Sequence, residues 1–244
     1  MDGTETWTSL QSALNAQFRG HATRDFAEWR AAHAYEAAGD IPEAATKAWI
    51  GRQKHNYRGL GSRRNLRHLI SANVDQAFLK EIAQLADLVR LELEWPMVAR
   101  DLSPLRALRS LTFLSIDSPR NIADFRPLLE LPSLRTLIIT NPKKMTDLEW
   151  LRDAHHLEVI GIEGGMWSPY TIPSLAPLAG LQSLTAFLGV STRLGDKSLA
   201  PLGQCPRLTY LGIARVASRD EFERLQQARP ELACNWFRPE MWAD

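Results

Sequence analysis

A six-residue phrase recurs at an unvarying interval and restricts what this chain can fold into more than any other feature. It reads LVRLEL, LTFLSI, LRTLII and LEVIGI, opening at Leu88, Leu111, Leu134 and Leu157, so each copy starts 23 residues after the last. Two further positions in each copy are again aliphatic: Leu91 and Leu93, Leu114 and Ile116, Leu137 and Ile139, Ile160 and Ile162. A unit of that length holds one short strand and one return arc, and neither buries its apolar side without a stacked neighbour. The chain must therefore grow as a stack, with strands side by side and the aliphatic columns pointing inward.

Weaker copies extend the pattern. Leu66 and Leu69 open a degenerate first unit; Leu184 with Phe187, then Leu208, Leu211 and Ile213, and finally Leu232 follow the regular ones. The arcs repeat as well: Leu102, Leu105 and Leu108, then Leu128 and Leu131, then Leu148, Leu151 and Ala154. Leu175, Leu178 and Leu181 and then Leu199, Leu202 and Cys205 continue them. Thr146 with Glu149 and Ser218 with Glu221 fit capping boxes, and Pro104 sits where a helix tolerates proline. Each buried leucine contributes about 1.5–3 kcal/mol, so these columns hold the stack together.

Across residues 65–237 these phrases and their leucine-bearing arcs closely resemble the leucine-rich-repeat family. The resemblance implies an α/β, right-handed leucine-rich-repeat solenoid, with about seven to eight parallel strands on the concave face and short helices or turns on the convex face. The roles it implies are those of an adaptor, scaffold or inhibitor and immunity-type protein. One position departs from the family. Where an Asn or Cys commonly ties the turn, this chain has Pro96, Pro119 and Pro142, then Gly165. That predicts no polar ladder along the turns, with proline fixing φ instead.

The N-terminal part lacks the period. Residues 4–20 read as an amphipathic helix with Trp7, Leu10, Leu14 and Phe18 on one side. A second helix is predicted from Thr23 to Ala38 and a third from Pro42 to Arg52, separated by Gly39 and Asp40. The string AAHAYEAAGDIPEAATKAW resembles a single tetratricopeptide helical hairpin, through Ala32, Tyr35, Gly39 and Ala44. The expected organisation is a helical N-terminal cap and basic linker over residues 1–60, then the solenoid with its C-terminal cap over 61–244. The WFRPEMWAD segment, with Trp236, Phe237, Met241 and Trp242, is expected to close the far end.

A formal net charge of +1 gives no global attraction to nucleic acid or an anionic membrane. No apolar run approaches the ~18 residues of a membrane span, and the polar, acidic start does not read as a signal peptide. Two cysteines, Cys205 and Cys234, make no disulfide framework and are read as buried, reduced thiols of a cytoplasmic protein. No nucleophile elbow, phosphate-cradling glycine loop or metal-ligand spacing is present, and the adjacent His155 and His156 project differently. The expectation is a non-enzymatic protein without cofactor or metal.

Binding residues follow from strand alternation. Residues between the leucines should face the concave surface: Arg90, Phe113, Val159 and Tyr210 in one column, Glu92 and Ile138 in the next, Glu94, Asp117 and Glu163 in a third. Carboxylates beside exposed apolar groups, with hollows at Ser115, Gly161 and Gly212, predict a protein or peptide partner with basic and hydrophobic residues. The insertion EGGMWSPYTIP adds Met166, Trp167 and Tyr170 near Trp95, either as an interface or folded back on the solenoid. An alternative lies between Glu43 and Asp75, where no acidic residue interrupts Arg52, Lys54, Arg58, Arg63, Arg64 and Arg67. Those cations are either a phosphate- or nucleic-acid-facing patch or a linker whose arginines cap carbonyls.

Overall fold

The computed structural model describes residues 23–242. Its main sheet has nine strands in the order β1-β2-β3-β4-β5-β6-β8-β10-β11, every neighbouring pair parallel. The strands are β1 (Lys47–Gly51), β2 (His68–Val74), β3 (Arg90–Met97), β4 (Phe113–Asp117), β5 (Thr136–Thr140), β6 (Val159–Glu163), β8 (Ala186–Gly189), β10 (Tyr210–Ile213) and β11 (Ala233–Cys234). Two more, β7 (Tyr170–Ile172) and β9 (Thr192–Leu194), pair with each other beside it. The helices are α1 (Thr23–His33), α2 (Gln76–Ile82), α3 (Ala200–Gly203) and α4 (Arg219–Ala228).

The register carries the repeat directly into space. Leu69, Leu91, Leu114, Leu137, Ile160, Phe187 and Leu211 are successive cross-strand partners, all buried in one continuous core. The arcs close that core from the convex side as 3-10 turns at Ser103–Ala107, Arg126–Glu130, Glu149–Leu151 and Ala176–Leu178, and as α3. Pro104, Pro127, Pro177 and Pro201 stand in their first turns, where a missing N–H costs nothing.

Most arcs start from a device other than the expected capping box. Asp101 Oδ1 accepts from the Ser103 amide at 2.8 Å, Asp124 from Arg126 at 3.0 Å, Asp147 from Glu149 at 3.0 Å and Asp196 from Ser198 at 3.1 Å. Thr146 only donates to Asp147, so its pairing with Glu149 is not formed. Ser218 does accept from the Glu221 amide and caps α4, while the Glu221 carboxylate reaches the Leu199 amide at 3.0 Å in the preceding arc.

A polar ladder also exists, one residue before the prolines. Asn73, Ser118, Asn141 and Ser191 occupy equivalent turns with φ of 58°, 51°, 55° and 53°. Asn141 Nδ2 donates to Ser118 Oγ at 2.9 Å, Asn73 Nδ2 to the Arg52 carbonyl at 3.1 Å, and Ser191 Oγ to the Gly165 carbonyl at 3.0 Å. Proline therefore follows the ladder and does not replace it. Short polar side chains can bond the local backbone in left-handed turns, which makes them affordable here.

The N-terminal region departs furthest from expectation. The helix predicted from Pro42 to Arg52 is a turn followed by β1, with Ala48 and Ile50 buried and paired to Leu69 and Ser71. Alanine-rich sequence favours helix locally, but pairing along the open edge of β2 outweighs that weak preference. The second predicted helix ends at His33; Ala34 bridges to Trp49 and the Tyr35 amide donates to the Trp49 carbonyl at 3.0 Å. The hairpin string is thus a helix end, a 3-10 turn at Ala38–Asp40 and a strand, and the sheet starts before residue 61. The helix predicted over residues 4–20 lies outside the described residues.

At the far end the aromatic segment packs against α4. Trp236 Nε1 donates to the Ile213 carbonyl at 2.7 Å and Trp242 Nε1 to the Trp236 carbonyl at 2.8 Å, with both rings against Phe222. Buried Arg229 donates to the carbonyls of Cys205, Pro206 and Leu208, holding the last full turn.

Candidate interaction surface

The expected columns form. Arg90, Phe113, Thr136, Val159, Ala186 and Tyr210 are successive cross-strand partners, as are Ser115, Ile138, Gly161, Leu188 and Gly212, and Asp117, Thr140 and Glu163. Their exposure is not the expected one. Phe113 is 8% exposed, Ile138 2%, Val159 6% and Tyr210 3%, so these four are not open to water. With Ala186 and Leu188 they make a second apolar cluster, separate from the main core. The predicted hollows are filled from the side: a Cβ on Gly161 would meet Ile138 at 3.1 Å, and one on Gly212 would meet Leu188 at 3.1 Å and Tyr210 at 3.2 Å.

The carboxylates are engaged within the chain. Arg90 Nε lies 2.9 Å from Glu92 Oε1, and its guanidinium sits 3.4 Å above the Phe113 ring. His68 Nε2 is 3.1 Å from the same Glu92 oxygen, and Trp49 Nε1 donates to Glu94 Oε2 at 2.8 Å. Asp117 accepts from Ser118 Oγ at 2.8 Å; Glu163, only 4% exposed, accepts from Thr140 Oγ1 at 3.4 Å. Glu92 is thus ion-paired with Arg90, Glu163 is buried, and Glu94 and Asp117 each accept a hydrogen bond from a neutral donor. Burial pushes His68 below the ordinary histidine range, outweighing the upward pull of its hydrogen bond to Glu92.

What does face water is the rim at the C-terminal ends of the strands. Trp95, just beyond Glu94, is 56% exposed; Met166 is 86%, Trp167 92% and Val190 50%. Trp95 occupies the column of Asn73, Ser118 and Asn141, an indole where its neighbours carry small polar groups, and its bond to Pro96 is cis. The Arg120 guanidinium approaches its ring at 5.8 Å. The insertion divides in two. Tyr170 folds back, its OH donating to the Met145 carbonyl at 3.0 Å, and burial with the nearby Asp147 charge pushes it up to about 12. Met166 and Trp167 stay outside.

That exposed tip is firmly based. The Gly164 amide donates to the Val190 carbonyl at 2.9 Å, Gly165 to Ser168 at 3.0 Å, and the β7–β9 pair carries the chain back. A Cβ on Gly164 would fall 1.9 Å from the Ser191 carbonyl oxygen, so this close approach requires glycine. Lys143 Nζ reaches Ser168 Oγ at 3.4 Å; Lys144, next in sequence, is exposed, as is Arg120 beside the Trp95 ring.

The arginine segment is part of the first repeat, not a linker. Arg52 donates to Asn73 O at 2.7 Å and lies 3.4 Å from the Asp75 carboxylate, which itself caps α2. Arg63 holds the carbonyls of Ala38 and Gly39 at 2.9 and 3.0 Å; Arg67 holds those of Arg64 and Leu66 and lies 3.6 Å from Asp87. Lys54, Arg58 and Arg64 are exposed. His155 is exposed and His156 half-buried, and among the described residues no group of three or more His, Cys, Asp or Glu could hold a metal ion.

Sequence reasoning missed two contributors: Trp49 and the α1 residue Trp29, whose ring lies 4.6 Å from that of His68. The alternation of Lys47, Ala48, Trp49 and Ile50 was the available signal for the first. For Trp29 there was none, because the partner is far away in the chain.

No protein-family model and no curated protein matches the sequence. Solved structures do match. Internalin F of Listeria monocytogenes is 17% identical, with 76% of this chain and 64% of its own covered, at a TM-score of 0.50. A leucine-rich-repeat protein of Leptospira interrogans is 16% identical, with coverages of 82% and 51% and a TM-score of 0.50. Internalin C2 of Listeria monocytogenes is 20% identical over 70% of each chain, at a TM-score of 0.45. The chain therefore spans about two thirds of internalin F and half of the Leptospira protein. At such identities the likeness is one of fold, and the repeat, the parallel register and the two neighbours at a TM-score of 0.50 agree on it: the chain folds as a leucine-rich-repeat solenoid.

Proposed function

We propose that the protein is a non-enzymatic protein-binding module whose contact surface is the rim formed by Trp95, Met166, Trp167 and Val190. The observation that carries this reading is Trp167, 92% exposed at the tip of a turn that is hydrogen-bonded at its base. Large aromatic and sulfur side chains held in water on a fixed scaffold are what a partner's pocket takes up, and such anchors dominate binding energy. The partner is an apolar protein or peptide segment. Arg120, Lys143 and Lys144 favour acidic residues at its edge, while the carboxylates that suggested a basic partner are already engaged. A cytoplasmic site suits the two free, buried thiols, and no helix among the described residues is long and apolar enough to cross a membrane.

The test compares affinity capture by wild type with that by the combined Trp95→Ser, Met166→Ser and Trp167→Ser variant, at matched thermal stability. Partners held by the wild type and lost by the variant, with little dependence on salt, fit the rim. Capture that survives the variant but collapses between low and moderate salt points instead to anion binding through Lys54, Arg58 and Arg64.

A further inference from the structure

The rim at the C-terminal ends of β3 to β6 has an order of its own. Positions 120, 143 and 166 are equivalent in successive repeats, as are 121, 144 and 167. The turns after β4, β5 and β6 therefore carry Arg120, then Lys143 with Lys144, then Met166 with Trp167. Trp95 leads the series from the end of β3, with the Arg120 guanidinium 5.8 Å from its ring. At the other end Lys143 Nζ reaches Ser168 Oγ, next to Trp167, at 3.4 Å. The rim thus runs indole, cation, cations, indole, one unit at a time. All of these side chains are exposed, and among the described residues Arg120, Lys143 and Lys144 have no ion pair.

The line of positive charge is narrow. Asp124 and Asp147 follow the cations in the same turns, where they hold the amides of Arg126 and Glu149, and Asp117 precedes Arg120 with Ser118 bonded to it. A broad anionic surface, whether membrane or nucleic acid, would meet those carboxylates too; a single chain lying along the line would not. Length then selects the conformation of that chain. Three strand steps at about 4.8 Å put the two indoles roughly 14 Å apart. In an extended chain side chains alternate and advance about 3.3 Å per residue, so i and i+4 point the same way at roughly 13 Å, with i+2 midway. A helix returns to one face at i+7 or i+11, roughly 10.5 or 16.5 Å along, and misses.

We infer that the rim takes an extended acidic peptide, apolar at i and i+4 and carrying Asp or Glu at i+2. The two apolar residues seat on Trp95 and on Met166 with Trp167, and the carboxylate sits between Arg120 and Lys143. This names the partner of the surface proposed above and rests on that reading. The aromatic anchors supply most of the binding energy, while the cations fix the register and reject basic segments.

Random linear peptides displayed on phage, selected on the full chain with the Trp95→Ser, Trp167→Ser variant as counter-target, test this. Enrichment of apolar–x–acid–x–apolar sequences supports it. Synthetic copies should then bind the Arg120→Glu, Lys143→Glu variant roughly tenfold more weakly, and copies with lysine at i+2 should bind that variant better than the wild type. Rim-dependent peptides that lack the central acid, or that carry helical spacing, overturn the inference and leave the rim a contact surface. Recovery of no sequence that distinguishes the wild type from the serine variant overturns both. Vesicles of phosphatidylcholine with and without phosphatidylserine provide the last arm. A blue shift of tryptophan emission that needs phosphatidylserine and is absent from the serine variant assigns the rim to a lipid surface and overturns the peptide; no shift supports it.

Discussion

At the scale of single residues, small groups decide as much as large ones. Gly164 sits where a methyl group would strike the Ser191 carbonyl, so Gly164→Ala should destabilise the protein by about 1–3 kcal/mol. Met166→Ser, two residues on and fully in water, should stay within about 0.5 kcal/mol. Chemical denaturation of the two variants measures both. His68 supplies a pH dependence. Its folded value lies below its ordinary one of 6.5, so the unfolded chain binds the extra proton first as pH falls. Its contribution is complete above about pH 6.5 and is lost as pH drops through the lower folded value; His156, also depressed by burial, acts in the same direction. His68→Gln should therefore flatten the decline of melting temperature between about pH 7 and pH 5 without abolishing it. That Glu94 and Glu163 share a side of the sheet was legible from alternation. That Trp49 and Thr140 bond to them was not, because alternation tells which way a side chain points and not what meets it.

At the scale of the repeat, two columns set the energy and the shape. Leu137→Ala, at the fully buried centre of the aliphatic row, should cost about 2–5 kcal/mol. Asp124→Ala, which removes the side-chain acceptor at the start of one arc, should cost about 0.5–2 kcal/mol. Thermal unfolding of the pair distinguishes them by magnitude. The aspartates at 101, 124 and 147 recur with the same 23-residue interval as the leucines, so that device is readable in the sequence, although Thr146 and Glu149 also have the spacing of a capping box. The strand β1 was not readable in the same way. Residues 42–52 are rich in helix formers, and what makes Lys47–Gly51 extended is the edge of β2, a neighbour that no local pattern reports.

At the scale of the whole molecule, one continuous core runs from Ala38 to Cys234, and its two thiols lie inside it. Burial pushes Cys205 up and Cys234 up to about 12. Neither thiol should react with an aromatic disulfide reagent at neutral pH until the stack opens, and then both should react together as one cooperative unit. Two separate phases would show that the C-terminal repeats open independently of the rest.

The edges of the sheet carry a consequence of their own. Parallel units that stack so regularly would go on adding copies of one another if either terminus presented a bare strand. At β1 the backbone that follows α1 bonds along the strand through Ala34 and Tyr35, and at the other terminus β11 is only two residues long and is followed at once by Trp236. Both growth points are blunted by the chain's own backbone and aromatics. The array is thereby given a finite length, and fibre formation is suppressed in a molecule whose every internal joint favours it.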